Sequence, residues 1–450
     1  MKRWLPLVMA VLLLVGLLSA CGGSQTSSNT GETSSQPSQG TTETKKNVTL
    51  SQMVSQGWTT DADEALSKKF TEETGIAIDW QVTPADQYHD LLKTKLNAGE
   101  APDIFWIQTN PFAIKTEIDP EKNCIDFSNE SWVKVMNPAR LPAVSYNNKV
   151  YGLMLWSNSP EYVFVYNKTL FGELGITKTP TTYAEFKNDC ATIKAKGITP
   201  IYEYVAAGWH HVLPFAQIGG RYEELHPGLY DQLNNNKIKY ADVPEMELAL
   251  KQMKECADLG YYGDDYMSNT GEDAQQRMAT RKAAMFLGNP GDIKQIKSDY
   301  PDCKDEFGLF LIPYVDNDTF PFNPNGPARF AYKNSKYVDE IKQYFSYITT
   351  KESLQYKLDN TPSITNLDVT VDIEQHWLPQ EQELMNSIPK DKYITVLQSA
   401  VKYTNEQWME IGKDIAAMYM DTMTPKQVLQ NIDERRAEMA KAQSDPAWTK

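Results

Sequence analysis

Histidine and cysteine are scarce in this 450-residue chain, five of each. That scarcity removes several chemistries at once. No two cysteines form a CxxC pair, and no Cys/His spacing suggests zinc. Cys/His and Ser/His partners for nucleophilic catalysis are not signposted, and no G-x-S-x-G elbow occurs. The phosphate-cradling loops GxGxxG and GxxxxGK[ST] are missing too. Basic charge is in short supply. The 44 Lys and Arg face 59 Asp and Glu, a formal net charge of −15. Such a surface disfavours nucleic acid and docking on anionic lipid. The chain has one long apolar run, Leu5 to Leu18, interrupted by Pro6 and Gly16. It is too short to span a bilayer as a helix. No internal repeat is evident, and no metal or other cofactor is expected.

That run has informative flanks. Lys2 and Arg3 precede it, and Leu18-Ser19-Ala20-Cys21 closes it ahead of Gly22-Gly23-Ser24. A basic start, a short apolar core and small residues at the end read as a secretory signal over residues 1–20. Leu-Ser-Ala-Cys resembles the lipobox of bacterial lipoproteins. The resemblance implies that Cys21 is acylated and begins the mature chain. Residues 22–46 hold Gly, Ser, Thr, Gln, Asn, Pro and a few charges, with no large apolar side chain. Such a segment cannot bury enough surface to offset its ordering entropy. The expectation is a lipidated cysteine on a disordered tether (residues 21–46) with a reach of roughly 25–30 Å. The body would then face outward from a cell membrane.

The remaining residues exceed one typical core, so two domains are the default. Asn47 to Ser51 reads as a strand, and Asp61 as the cap of a helix carrying Ala62, Ala65, Leu66 and Phe70, stopped by Gly75. Ile76, Ile78, Trp80 and Val82 alternate as a strand. Tyr88, Leu91, Leu92 and Leu96 return to helical spacing before Gly99, and Asp103 to Ile107 is a short apolar strand. Strand-helix-strand-helix-strand predicts a parallel sheet covered by helices, with ligands at the loops beyond the strand ends. Further on, Thr179-Pro180-Thr181 opens a helix bearing Tyr183, Phe186, Cys190 and Ile193. Strands are expected over Ile198 to Tyr202, Met285 to Leu287, Phe307 to Ile312 and Arg329 to Tyr332. Asp316 to Pro327 reads as a long loop, and the chain from Val338 as largely helical. If Cys21 is lipidated, Cys124, Cys190, Cys256 and Cys303 remain, and the sequence leaves open whether any forms a disulfide. The acidic stretch near Asp264 lacks calcium-loop register and reads as a solvated loop.

Several segments together resemble the family 1 extracellular solute-binding proteins, receptors of carbohydrate ABC importers that include maltose-binding protein. They are Phe70-Thr-Glu-Glu-Thr-Gly75, Leu91-Leu-Lys-Thr-Lys-Leu96 and Gly99-Glu-Ala-Pro-Asp-Ile-Phe105, then Val150-Tyr-Gly-Leu153 and Val165-Tyr-Asn-Lys168. Phe171-Gly-Glu-Leu-Gly175 follows, then Pro180-Thr-Thr-Tyr-Ala-Glu-Phe186, where the family usually has Trp for Tyr183. Arg281-Lys-Ala-Ala-Met285 and Phe307 to Pro313 complete the set. The resemblance implies a two-lobed α/β fold of the periplasmic-binding-protein (Venus flytrap) type. Each lobe would be a mainly parallel sheet flanked by helices, the two joined by hinge crossovers. It places the first lobe at 47–158 and 307–366, and the second at 159–306 and 367–450. It implies a monomeric receptor that closes on a carbohydrate and delivers it to a permease, without catalysis.

A sugar ring has apolar C–H faces and a rim of hydroxyls. Aromatic rings stack on the faces, while carboxylates, amides and guanidinium groups hold the rim. Such residues at the expected strand ends are Trp58, Thr60 and Asp61, then Trp106, Thr109 and Asn110, then Trp156, Asn158 and Glu161. Glu203, Trp209, His210 and Asn289 follow in the second lobe, with Asn325, Gly326 and Arg329 further on. The resemblance adds Trp408, which matches an aromatic in a late helix of the relatives. Structural readings stand beside these: Trp106 and Trp408 as core, Glu203 as a helix cap, His210 as surface. Two other functions stay open: a receptor for a non-sugar solute, and a surface glycosidase. The latter needs two acids roughly 5–10 Å apart, and the sequence singles out no pair.

Overall fold

A computed structural model describes residues 47–112, 114–157 and 160–449. The expected signal, Cys21, the tether and Asn158 lie outside the described residues. Strand β1 (Val48–Ser55), helix α1 (Asp61–Thr74), strand β2 (Ile76–Thr83), helix α2 (Ala85–Ala98) and strand β3 (Ile104–Gln108) open the chain. The helices start and stop for local reasons. Thr60, rather than Asp61, caps α1: its hydroxyl accepts from the Asp63 amide, and Asp63 accepts in return from the Thr60 amide. This is a reciprocal capping box. Gly75 and Gly99, both left-handed, end α1 and α2.

Strands β2, β1 and β3 lie parallel, in that order. The sheet is completed by Pro327–Ala331, antiparallel to β3 with Pro327 opposite Gln108, and by Gly152–Leu153. The second sheet orders Phe307–Phe310, Val163–Asn167, Ala283–Gly288 and Thr199–Ile201. There Val163–Asn167 alone runs against the others. Each sheet is thus mainly parallel in strand direction, with one strand reversed: Pro327–Ala331 in the first and Val163–Asn167 in the second. Val163–Asn167 and Pro327–Ala331 follow passages from the opposite sheet. They enter at the edge where their neighbours end, and so run against them.

The pairings also move the expected lobe boundaries. Phe307–Phe310 hydrogen-bonds to Val163–Asn167, so this stretch stays in the second sheet. The return lies after Phe320–Phe322, which pairs with Tyr393–Thr395. Leu367 and Ile373 pack in the first lobe's core, whereas Leu378 and Leu384 pack in the second's, so the last crossing follows Ile373. The loop expected over Asp316 to Pro327 therefore contains a strand, because its apolar Phe320 is buried.

The first lobe has one core, in which Leu50, Met53, Phe70, Leu92, Phe105 and Phe330 meet. The second sheet is covered on both faces. Along Val163–Asn167, Phe164 and Tyr166 face one cluster, while Val163 and Val165 face another. The period-2 alternation of side chains in a strand produces that division, and a strand covered on both sides reads as unbroken apolar sequence. Cys190 and Cys256 are buried in the larger cluster and Cys124 in the first lobe, and all four described cysteines are free thiols. No described helix is long and apolar enough to cross a membrane.

Candidate functional site

The ends of β1 and β3 and the start of Pro327–Ala331 lie on one edge of the first sheet. The start of Val163–Asn167 and the ends of its neighbours form the matching edge of the second. The connecting segments run between these edges, and most of the expected site residues lie there.

Arg140 holds the connections. Its side chain is only 2% exposed. Its Nε donates to the Asp368 carboxylate at 2.8 Å, one terminal nitrogen to the Asn323 carbonyl at 3.1 Å, and the other to the Ser157 carbonyl at 2.6 Å. Ser157 lies on the first passage between the sheets, Asn323 on the second, and Asp368 shortly before the third. Asn323 then reaches onward. Its amide donates to Glu161 at 2.5 Å, and its oxygen accepts from Ser399. The other Glu161 oxygen accepts from Gln217 at 2.7 Å and from Gln398 at 3.3 Å. Burial pushes the Glu161 carboxyl above its ordinary pKa, against the pull of the Gln217 and Asn323 donors. Asn110 donates to the Gln398 carbonyl at 2.9 Å. Thr109 and Gly326 bond reciprocally through backbone and hydroxyl. Gly326 also lets the half-buried Trp156 indole lie close: a Cβ there would stand 2.8 Å from the ring. So Thr109, Asn110, Trp156, Glu161, Asn325 and Gly326 belong to one connected neighbourhood.

A second group adjoins it through Tyr162. The Trp209 indole is half-buried, with ring centroids 6.0 Å from Tyr162 and 6.1 Å from Tyr204. The half-buried Trp408 donates from its indole nitrogen to the Trp209 carbonyl at 3.0 Å. The late helix Trp408–Tyr419 comes this close because Gly412 has no side chain; a Cβ would meet the Gly208 carbonyl at 2.0 Å. His211 clamps the same contact by bonding the Gly412 carbonyl.

Glu203 and His210 support this wall from behind. Expected at a strand-end loop, they are instead buried and bonded to each other. Glu203 is 2% exposed, and one of its oxygens meets His210 Nδ1 at 2.6 Å and the Tyr204 amide at 2.9 Å. His210 Nε2 faces the Leu287 carbonyl at 2.8 Å, so both ring nitrogens point at acceptors. Burial alone would raise the Glu203 carboxyl, but the adjoining His210 holds it below the usual range. The pair fixes the loop that carries Trp209. Asn289 forms a turn, accepting from the Gly291 amide, while its own amide bonds the buried Asp292. Burial raises Asp292.

The first-lobe candidates separate. Trp58 is half-buried, 5.3 Å from the Tyr88 ring and 6.0 Å from His89. Thr60 is spent on the helix cap, and Asp61 is exposed in the first turn of α1. Trp106 and Arg329 are core. The guanidinium lies 4.0 Å over the Trp106 ring and donates to Asp63 at 2.7 Å, with Lys357 on the same carboxylate. Asp63 is buried, which alone would raise its pKa, but Lys357 and Arg329 bring it down to about 2. Trp106 is buried because β3 is covered on both faces, which alternation cannot reveal in so short a strand.

Sequence reasoning did not find Gln217, Asn323, Gln398, Tyr162 or Glu406. The first four carry no local signal, since amides and tyrosines are common in helices and loops. Glu406, on the turn before Trp408, has both oxygens buried with no partner on another described residue. Burial, with Glu117 nearby, pushes it up to about 7. Among the described residues, no three His, Cys, Asp or Glu cluster to hold a metal ion. Asp264 and Asp265 are exposed. The arrangement offers flat apolar faces beside amides and carboxylates.

A sequence pattern described as bacterial extracellular solute-binding protein matches residues 65–379. A binding protein of Brucella abortus (strain 2308) is 23% identical over 303 residues, 64% of this chain and 68% of that protein. The diacetylchitobiose binding protein DasA of Streptomyces coelicolor is 24% identical over 318 residues, 70% of each chain. A solved structure of a sugar transporter from Bacillus licheniformis, in complex with stachyose, superposes with a TM-score of 0.69. It is 18% identical, over 87% of this chain and 100% of that one. These likenesses establish the two-lobed α/β fold.

Proposed function

The chain belongs to the bacterial extracellular solute-binding proteins, and we propose that within this family it captures a carbohydrate, an oligosaccharide in particular, for an ABC importer. One observation carries the reading: the half-buried Trp209 and Trp408, joined by a bond from the Trp408 indole to the Trp209 carbonyl, adjoin, through Tyr162, the amide and carboxylate network around Glu161. Apolar plates beside a hydrogen-bonding array suit a pyranose, which has apolar faces and a polar rim. That relatives carry diacetylchitobiose and stachyose supports the same ligand class.

Capture proceeds by closure of the lobes about the Arg140-braced connections. A sugar touching both lobes favours the closed form, and shifting a 1:99 mixture to 99:1 takes roughly 5.5 kcal/mol of differential affinity. The closed surface then meets the permease. In this reading the protein is monomeric, acylated at Cys21 and held by residues 22–46 on the extracellular side of the cell membrane. It captures its ligand and leaves it chemically unchanged.

Thermal-shift screening of purified protein tests this. Stachyose and diacetylchitobiose are expected to raise the melting temperature, because a ligand that binds only the native form stabilises it. A shift given only by peptides or amino acids would overturn the carbohydrate reading. Cleavage of either sugar during incubation would overturn the receptor reading.

A further inference from the structure

Asn325 is fixed at its backbone and idle at its side chain. Its amide nitrogen donates to Asn323 Oδ1 at 3.0 Å, and the next residue, Gly326, is bonded to Thr109 in both directions. The side chain is 2% exposed, yet neither its oxygen nor its nitrogen has a partner among the described residues. Buried polar atoms are nearly always hydrogen-bonded, and an idle one costs stability. Two further atoms of the same network, the side-chain oxygens of Gln217 and Gln398, have no partner among the described residues. Glu161 dictates their orientation. Both glutamines donate their NH₂ groups to one carboxylate oxygen. With its nitrogen on Glu161, each glutamine leaves its own oxygen without a partner among the described residues. The idle set is therefore three acceptor oxygens and one NH₂ donor.

We infer that Asn325, Gln217 and Gln398 form a polar subsite beside the hinge that binds the hydroxyl edge of a neutral sugar and rejects anionic ones. This deepens the carbohydrate reading and rests on it. A vicinal diol matches the Asn325 amide, donating to Oδ1 and accepting from Nδ2. The glutamine oxygens take further hydroxyl protons. A carboxylate or phosphate has no proton to give them and meets three acceptors. Because the Asn325 backbone is bonded on both sides, little ordering is required when ligand arrives.

The test uses calorimetry on the whole protein with stachyose, diacetylchitobiose and a uronate-bearing oligosaccharide. Asn325→Leu is expected to weaken binding of the neutral sugar about tenfold or more, as losing a bidentate amide contact implies. Its unliganded melting temperature should hold or rise, because an idle buried amide contributes nothing that an apolar group lacks. Asn325→Asp keeps the shape and loses the donor. It too should bind more weakly, which covers the case in which the leucine variant folds poorly. Unchanged affinity in both variants, with a lowered unliganded melting temperature, would mean that ordered water satisfies the amide, and the subsite would fall alone. Equal or tighter binding of the uronate-bearing sugar would also overturn it. If the unmodified protein binds none of the sugars, the carbohydrate reading falls and takes the subsite with it.

Discussion

Replacing Arg140 with methionine keeps an unbranched apolar stem and removes every hydrogen bond of the guanidinium. The change strands the Asp368 carboxylate, 10% exposed, and leaves the Ser157 and Asn323 carbonyls without this donor. Removing one partner of a buried ion pair costs about 3–5 kcal/mol. Asp368 retains the Asn137 amide at 2.8 Å, which favours the lower part of that range. The compact unit Lys45–Lys450 is large. At an unfolding entropy of about 2 cal/mol/K per residue, the loss corresponds to a fall of about 4–5 °C in melting temperature. Differential scanning calorimetry of the unliganded protein measures it. Arg140→Lys should recover little, because one ammonium cannot present a planar fork to three acceptors on three segments. A methionine variant melting within about 1 °C of the parent, or full rescue by lysine, would refute the idea that this guanidinium braces the connections.

Two further predictions concern the aromatic wall and its margin. Trp209→Ala should abolish the sugar-induced rise in melting temperature. Since the ring also packs on Tyr162 and Tyr204, the unliganded protein should melt lower as well, and Trp209→Phe, which keeps most of that packing, separates the two effects by thermal shift. Glu406, pushed up to about 7, takes up a proton on folding between its ordinary carboxylate pKa and neutrality. Above pH 7 it is charged and buried in the folded state. Glu406→Gln should then stabilise the protein at pH 8 by up to about 3 kcal/mol and change little near pH 4, as denaturant melts at the two pH values would show.

The opening of the chain was legible because its signals are local. Leu66 and Phe70 follow helical spacing toward one core, Ile76 to Val82 alternates, and Gly75 and Gly99 stop helices as left-handed residues. The helix cap was misplaced by one residue, because Thr60 and Asp61 are both good caps in isolation. The reciprocal bonds between Thr60 and Asp63 distinguish them. Residue type at strand ends picked out Trp156, Glu161, Trp209 and Asn325, which the structure places between the two sheet edges. The same signal also picked out Trp106, Glu203, His210 and Arg329, whose groups the structure engages with neighbours inside the lobes.

What the sequence by itself determined is whatever neighbours along the chain decide: the order of strands and helices, the two sheets they imply, and the family whose pattern they carry. Tertiary structure decided which passages join the lobes and which polar groups find partners. Glu161 meets Gln217 across 56 residues, Asn323 across 162 and Gln398 across 237. Whether an amide is engaged or idle depends on what chain folding brings within about 3 Å, and no spacing in the sequence encodes that distance. The same holds for Trp209 and Trp408, brought together because two glycines distant in sequence allow their backbones to touch.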